Sequence, residues 1–303
     1  MKILNFGSLN FDYVYSVPHF VRPGETIPSY GLQTFCGGKG LNQSIAAARA
    51  GAKIYHAGKV GKDSQVLFDL LDEAGADTRF VFQDETARTG HTITQVDSSG
   101  QNCIILYGGT NMEIRSEEVD LVLKEFAEGD ILLLQNEING LPEIMEKAHR
   151  IGMQIALNPS PIREDILQYP LHYVKWFLLN EIEGAEITGK TDAKEIADEM
   201  LRRYPESAVI LTLGKKGVYY KDKNRTAAHG IYRVERKDTT GAGDTFTGYF
   251  LAGIAENLDV NENLRRASIA SSIAVSRSGA AASIPILSEV LNADLKAEPS
   301  YNG

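Results

Sequence analysis

Between Asp130 and Leu213, short apolar runs alternate with amphipathic stretches, and this pattern constrains the fold more than any other part of the chain. Asp130–Leu134, Gln154–Leu157, Trp176–Leu179 and Ala208–Leu213 read as buried strands, and Leu141–Arg150 and Asp192–Arg203 read as helices. Strands covered on both faces are apolar throughout. Their alternation with helices predicts an α/β fold with a mostly parallel sheet between helical layers.

The N-terminal half adds to this body. Lys2–Phe6 is a buried-strand pattern ended by Gly7-Ser8, Lys53–Lys59 another strand, and Asp63–Ala74 a helix stopped by Gly75. Tyr13–Val17 and Thr26–Phe35 read as extended, with Pro23-Gly24 between them. Thr89–Val96 and Asn102–Tyr107 alternate around Asp97-Ser-Ser-Gly100, a hairpin signal. These four segments predict a small separate sheet, a lid. Ser116–Ala127 reads as a helix, Val218–Lys221 as a strand, and Asn263–Ser276 as a helix rich in small residues.

Several functional classes are disfavoured. A net charge of −9 argues against nucleic-acid and anionic-membrane partners. No secretory signal opens the chain and no apolar run reaches membrane-spanning length. Cys36 and Cys103 have no metal-ligand spacing and fit a reduced, cytoplasmic setting. The histidines are scattered, and neither a zinc-hydrolase nor a serine-hydrolase motif is present. The polar tail 296–303 is expected to fray.

Two glycine-rich loops run into helices. Gly37-Gly-Lys-Gly40 precedes the helix Leu41–Ala50, stopped by Gly51. Asp238-Thr-Thr-Gly-Ala-Gly-Asp244 precedes an apolar helix carrying Phe246, Phe250, Leu251 and Ile254. Unpaired N–H groups and the helix dipole attract an anion at such a junction, and glycine allows close approach. Asp244 is then either a helix cap or a general base beside a phosphate site. Polar residues also cluster after the strands, where open α/β sheets bind ligands: Asn10 and Asp12, Gln135-Asn-Glu137, Asn158-Pro-Ser160 and Asn180-Glu-Ile-Glu183. Asn10 and Asp12 also suit an ordinary turn, and Thr212–Gly217 an ordinary hairpin turn.

Gly184-Ala-Glu-Ile-Thr-Gly-Lys-Thr191 satisfies the P-loop pattern to the letter. Glu181, Glu183 and Glu186 crowd it with negative charge, so Gly189 is better read as a helix stop, and Thr191 or Asp192 as the next cap.

Taken together, the two glycine-rich signatures in this order resemble those of the ribokinase (PfkB) family of sugar kinases. Gly7–Asp12, Pro23–Thr26, Asn158–Ser160, Asn180–Glu183 and Thr212–Gly214 fall in family order around them, over about residues 3–287. The resemblance implies a ribokinase-like three-layer body over residues 1–295, with a β lid from about 12–36 and 89–108 that often forms a homodimer. It implies transfer of the ATP γ-phosphoryl to a sugar hydroxymethyl, D-ribose in the first instance, with Mg²⁺ and a monovalent cation (K⁺).

By resemblance, Asp244 is the base, and Gly241, Ala242 and Gly243 offer N–H groups to the transferring phosphate. Asn10, Asp12, Gly38, Lys39, Gly40, Asn42 and Glu137 resemble sugar-binding positions. Asn180, Thr212, Leu213, Gly214, Gly217 and Gly243 resemble nucleotide-site positions, with Ser268 on the purine side. Glu183 resembles the acid that organises Mg²⁺ through water; Asp238, Thr240, Ala274, Arg277, Gly279 and Ser283 resemble the monovalent-cation loop. Two residues depart from the pattern: Phe11, which is expected to reshape the sugar pocket, and Tyr249, which is expected to change helix packing. A nucleoside kinase, another sugar kinase (fructose, deoxyribose) and a non-catalytic sensor on this fold remain alternatives.

Overall fold

The computed structural model describes residues 1–301. In chain order the first strands are β1 (Ile3–Phe6), β2 (Asn10–Ser16), β3 (Gly31–Gly37), β4 (Ile54–Gly61), β5 (Asp77–Asp84), β6 (Gly90–Val96) and β7 (Asn102–Tyr107). There follow β8 (Ile131–Gln135), β9 (Gln154–Asn158), β10 (Val174–Asn180), β11 (Ala208–Thr212), β12 (Val218–Lys221) and β13 (Thr226–His229). The helices are α1 (Lys39–Arg49), α2 (Gln65–Ala74), α3 (Ser116–Leu123), α4 (Leu141–Ile151) and α5 (Glu181–Thr188). The last are α6 (Ala193–Arg203), α7 (Ala242–Ala255), α8 (Val260–Val275) and α9 (Leu287–Leu291).

A nine-stranded sheet runs β13-β12-β11-β10-β9-β8-β1-β4-β5. It is parallel from β11 through β5, and β12 and β13 extend it antiparallel. Successive strand residues feed opposite layers, as a period of two requires. Ile3, Ile131 and Leu133 pack with α1, α2, α7 and α8; Leu4, Leu132 and Leu134 pack with α3, α4 and α6. The expected parallel sheet between helical layers is therefore present. The second sheet, β3-β2-β6-β7, is the expected small one.

The differences have local causes. β5 and β13 carried no clear signal because each is an outer strand of mixed polarity, and α9 is a single short helix. The chain between Thr26 and Tyr30 is irregular, and β3 begins only at Gly31. Asn10 and Asp12 do not occupy a turn; they open β2 in the small sheet. The tail expected to fray is held through residue 301: Ala297 bridges to Tyr232, and Tyr301 Oη donates to Asp192 at 3.1 Å. Residues 302–303 of that tail lie outside the described residues. Among the described residues no helix is long and apolar enough to cross a membrane.

β1 is the switch point of the large sheet. The chain goes from β1 to β4 on one side and returns to β8 on the other. A crevice opens beyond the carboxyl ends at such a point. Two glycines bring helices to it. A Cβ at Gly40 would lie 2.4 Å from Ser8 N, so only glycine lets α1 begin against the Gly7-Ser8 turn. A Cβ at Gly248 would lie 2.4 Å from Ala46 Cβ and 2.7 Å from the Gln43 carbonyl oxygen, so α7 crosses α1 at backbone contact.

Gly248→Ala is expected to push α7 off α1, costing about 1–3 kcal/mol through overpacking. The check is a lowered urea midpoint at unchanged slope, together with reduced turnover, because the two helix N-termini separate.

Candidate active site

The α1 and α7 N-termini meet over the switch point. Gly38, with φ of 98°, turns the chain into α1, and Gly241, with φ of 72°, turns it into α7. Asp244 lies in the first turn of α7 and is 8% exposed. Asn42 Nδ2 donates to its Oδ2 at 3.0 Å, and Gln43 Nε2 donates to its Oδ1 at 2.8 Å. A capping aspartate would turn back onto its own helix N–H groups. This one is held by another helix, and no side-chain cap closes α7.

A cleft of about 230 Å³ lies against this carboxylate. Its walls include Lys39, Asn180, Glu183, Thr212, Thr239, Gly241, Gly243 and Asp244. A Cβ on Gly243 would meet nothing within 4 Å, so the end of α7 opens to the cleft. The Ala242 N–H is donated to Thr239 O at 3.3 Å, a long bond, and so is not free as the sequence suggested.

On the lid side, Asn111 Nδ2 donates to Asn10 Oδ1 at 2.7 Å, and Thr92 Oγ1 donates to Asp12 Oδ1 at 2.6 Å. The Asp12 carboxylate fills the space where a Cβ on Gly37 would stand, 2.1 Å from Oδ2, so Gly37 is required by close approach. Burial pushes the Asp12 carboxyl above its ordinary value, against the Thr92 hydrogen bond. Phe11, between Asn10 and Asp12, faces the other side of the strand, its ring 6.5 Å from that of Tyr13. It packs against the helical core. Tyr249 does act in helix packing, donating from Oη to Pro285 O at 2.8 Å.

Across the switch point Ser8 Oγ donates to Glu137 Oε2 in a short hydrogen bond, and Lys39 N donates to the same oxygen at 3.0 Å. Burial pushes the Glu137 carboxyl up despite Lys39. Burial opposes the charge on Lys39, but Asp244, Glu137 and Glu183 together outweigh it and raise its pKa.

Asn180 caps α5, and Glu183 returns the contact: its Oε2 accepts from Asn180 N at 2.9 Å and its Oε1 from Asn180 Nδ2 at 2.8 Å. Gly184 lies buried within α5, and Gly189, with φ of 73°, ends it. The P-loop look-alike is therefore a helix and its stop, with Lys190 exposed and Asp192 capping α6. Leu213, Gly214 and Gly217 form the turn after β11 and do not line the cleft, and neither does Ser268, buried on α8.

Asp238 ties two loops together. Its Oδ1 accepts from Thr240 N and Oγ1 at 2.9 and 2.7 Å, and its Oδ2 from Gly279 N at 3.0 Å. The Ala274 carbonyl takes the Arg277 N–H at 3.0 Å, the Arg277 guanidinium pairs with Glu289, and Ser283 closes on Ala280. Among the described residues no cluster of three His, Cys, Asp or Glu side chains is placed to hold a metal directly.

Sequence reasoning missed Ser8, Gln43, Thr92 and Asn111. Gln43 had a signal, its place beside Asn42 in the first signature. Asn111 had none, since it lies 101 residues from Asn10 and only folding brings them together.

A pfkB family carbohydrate kinase profile matches residues 1–287. The chain belongs to that family. The kinase is 34% identical over 299 residues to the ribokinase of Haemophilus influenzae, covering 94% of this chain and 95% of that one. It is 34% identical over 303 residues to the ribokinase of Staphylococcus aureus, covering 95% and 98%. The Arabidopsis thaliana ribokinase complexed with ribose and ATP superposes with a TM-score of 0.85 at 28% identity, covering 96% and 97%.

Two outcomes are expected of this geometry. His56 is fully buried, and burial lowers its pKa from 6.5 to about 3. The unfolded chain takes up that proton as pH falls below 6.5 while the folded kinase refuses it, so stability is lost with acidification. From about pH 7 to about pH 5 this amounts to about 2 kcal/mol, which urea unfolding of His56→Gln would lack. Lys190→Ala should leave the KM for ATP within about twofold, since Lys190 caps nothing a phosphate touches; a large rise would restore the P-loop reading.

Proposed function

We propose that the kinase phosphorylates the primary hydroxyl of a pentose, D-ribose in the first instance, with Asp244 as general base. The observation that carries this is the position of the Asp244 carboxylate. It stands at the N-terminus of α7 on the wall of the cleft that Lys39, Asn180, Thr212 and Gly243 also line, Asn42 donates to it from α1, and Glu137 lies near enough to share the charge of Lys39. The ribose and ATP bound by the Arabidopsis relative are one sugar and one nucleotide, which supports this reading.

In this reading Asn10, Asp12, Lys39, Asn42 and Glu137 bind the sugar hydroxyls, with the backbone of Gly38 and Gly40 admitting it closely. Asp244 accepts the proton as the hydroxyl oxygen attacks the γ-phosphorus. One P–O bond forms to the sugar as the bond to the β-phosphate oxygen breaks, releasing ADP. The N–H groups of Gly241–Gly243 receive the charge on the transferring group, Ala242 releasing its long bond to Thr239. Asn180 and Thr212, which line the cleft, take the nucleotide in this reading, and Leu213, Gly214, Gly217 and Ser268 are assigned to the same nucleotide.

Glu183 fits an acid that holds the water shell of Mg²⁺, because it lines the cleft while Asn180 occupies both of its oxygens. When bound, Mg²⁺ would neutralise phosphate charge. A monovalent cation such as K⁺ is assigned to main-chain carbonyls of the 238–240 and 274–283 loops that Asp238 binds together. Residues 1–295 form one kinase domain in this reading. The lid's exposed Leu32, Ile104, Ile105 and Tyr107 suit a homodimer, and the free Cys36 and Cys103 suit a cytoplasmic setting.

The test is ADP release over ribose, deoxyribose, fructose and nucleosides, with and without K⁺, for the wild type and Asp244→Asn. Ribose should give the highest kcat/KM. Asp244→Asn should lower kcat by about 10²- to 10⁴-fold with ribose affinity nearly unchanged. Retained turnover in that variant removes Asp244 as the base, and no turnover on any acceptor removes the kinase reading.

A further inference from the structure

Asp244 is the exposed end of a buried chain of amides. Gln43 Nε2 donates to Asp244 Oδ1 at 2.8 Å and to Asn158 Oδ1 at 3.3 Å. Gln135 Nε2 donates to Gln43 Oε1 at 2.7 Å and to Asn5 Oδ1 at 2.9 Å. Asn5 Nδ2 donates to Gly40 O and to Ser44 Oγ, both at 2.8 Å. Gln43, Gln135 and Asn5 are all 0% exposed.

The direction of this chain is forced from both ends. A carboxylate only accepts, so Gln43 must turn its amide nitrogen to Asp244 and its oxygen to Gln135. A backbone carbonyl also only accepts, so Asn5 must turn its nitrogen to Gly40 and its oxygen to Gln135. Gln135 then donates in both directions, which its amide group can do. Ser44 Oγ accepts from Asn5 and lies 2.8 Å from His56 Nδ1. No amide in the series can flip without setting donor against donor or acceptor against acceptor.

From this we infer that Gln43 is a positioning residue for the phosphoryl transfer, anchoring Asp244 through Oδ1 to β1 and β8 so that the Oδ2 edge meets the sugar hydroxyl. The inference rests on Asp244 being the base. Asn42 holds Oδ2, and Gln43, 0% exposed, holds Oδ1 from the interior. The anchor runs into the two strands at the switch point, the most deeply buried part of the sheet. The carboxylate orientation is thereby set by the sheet and not by α7 alone, and a base displaced by about 1 Å loses on the order of 10² in rate.

Gln43→Leu and Gln43→Glu test this, with thermal unfolding and ADP binding confirming that each is folded. In Gln43→Leu kcat should fall about ten- to a hundredfold while the KM for ATP and ribose stays within about twofold. The nearly isosteric Gln43→Glu sets a second carboxylate beside Asp244, in a site already facing Lys39 on α1, Glu137 after β8 and Glu183 on α5. Two carboxylates sharing a site hold a proton more tightly, so the acid limb of its pH–rate profile should move up by about a unit or more. In an Asp244→Asn background, Gln43→Leu should lower kcat no further. Wild-type kcat in Gln43→Leu, an unmoved acid limb in Gln43→Glu, or a loss shared equally by ADP binding, KM and kcat overturns the inference. Active Asp244→Asn overturns the general-base reading instead; inactive Asp244→Asn with unaffected Gln43 variants overturns the Gln43 role alone.

Discussion

The site depends on the backbone contact between α1 and α7. Gly248 removes the one atom that would hold the helices apart, and Gly40 lets α1 start against the turn after β1. Both helix N-termini then point into the same crevice, so Asn42 and Gln43 reach a carboxylate about 200 residues away in sequence, 202 for Asn42 and 201 for Gln43. Neither helix alone makes a site. Two aligned N-termini, with a carboxylate fixed between them, supply the partial positive charge and the proton acceptor that the proposed phosphoryl transfer uses.

Charge is managed around that contact by enclosure. Glu137, Glu183 and Asp244 surround Lys39, so a strongly acidic cluster keeps its one cation charged although burial works against it. The amides of Gln43, Gln135 and Asn5 are each turned the only way their neighbours permit. Such a chain resists rearrangement because any flip sets donor against donor or acceptor against acceptor. The small sheet adds β2, which carries Asn10 and Asp12, held by Asn111 and Thr92.

Much of this was legible in the residues. The parallel body followed from apolar runs at strand length, and both glycine-rich junctions announced their helices. The P-loop look-alike was rejected on Glu181, Glu183 and Glu186, and its glycine does end α5. Outer strands β5 and β13 were not legible, because mixed polarity at a sheet margin has no period to read.

The sequence by itself determined the fold class and the two glycine-rich helix N-termini, and it marked Asp244 as a candidate carboxylate, because hydrophobic period, glycine and motif order are properties of neighbours along the chain. Only the tertiary structure decided which partners hold that carboxylate. The Gln43–Gln135–Asn5 chain, the Asn111–Asn10 bond and the Ser8–Glu137 bond join residues far apart in sequence. Hydrogen-bond partners are selected by distance and direction in a packed interior, where each buried donor must find an acceptor, and no local pattern records that requirement.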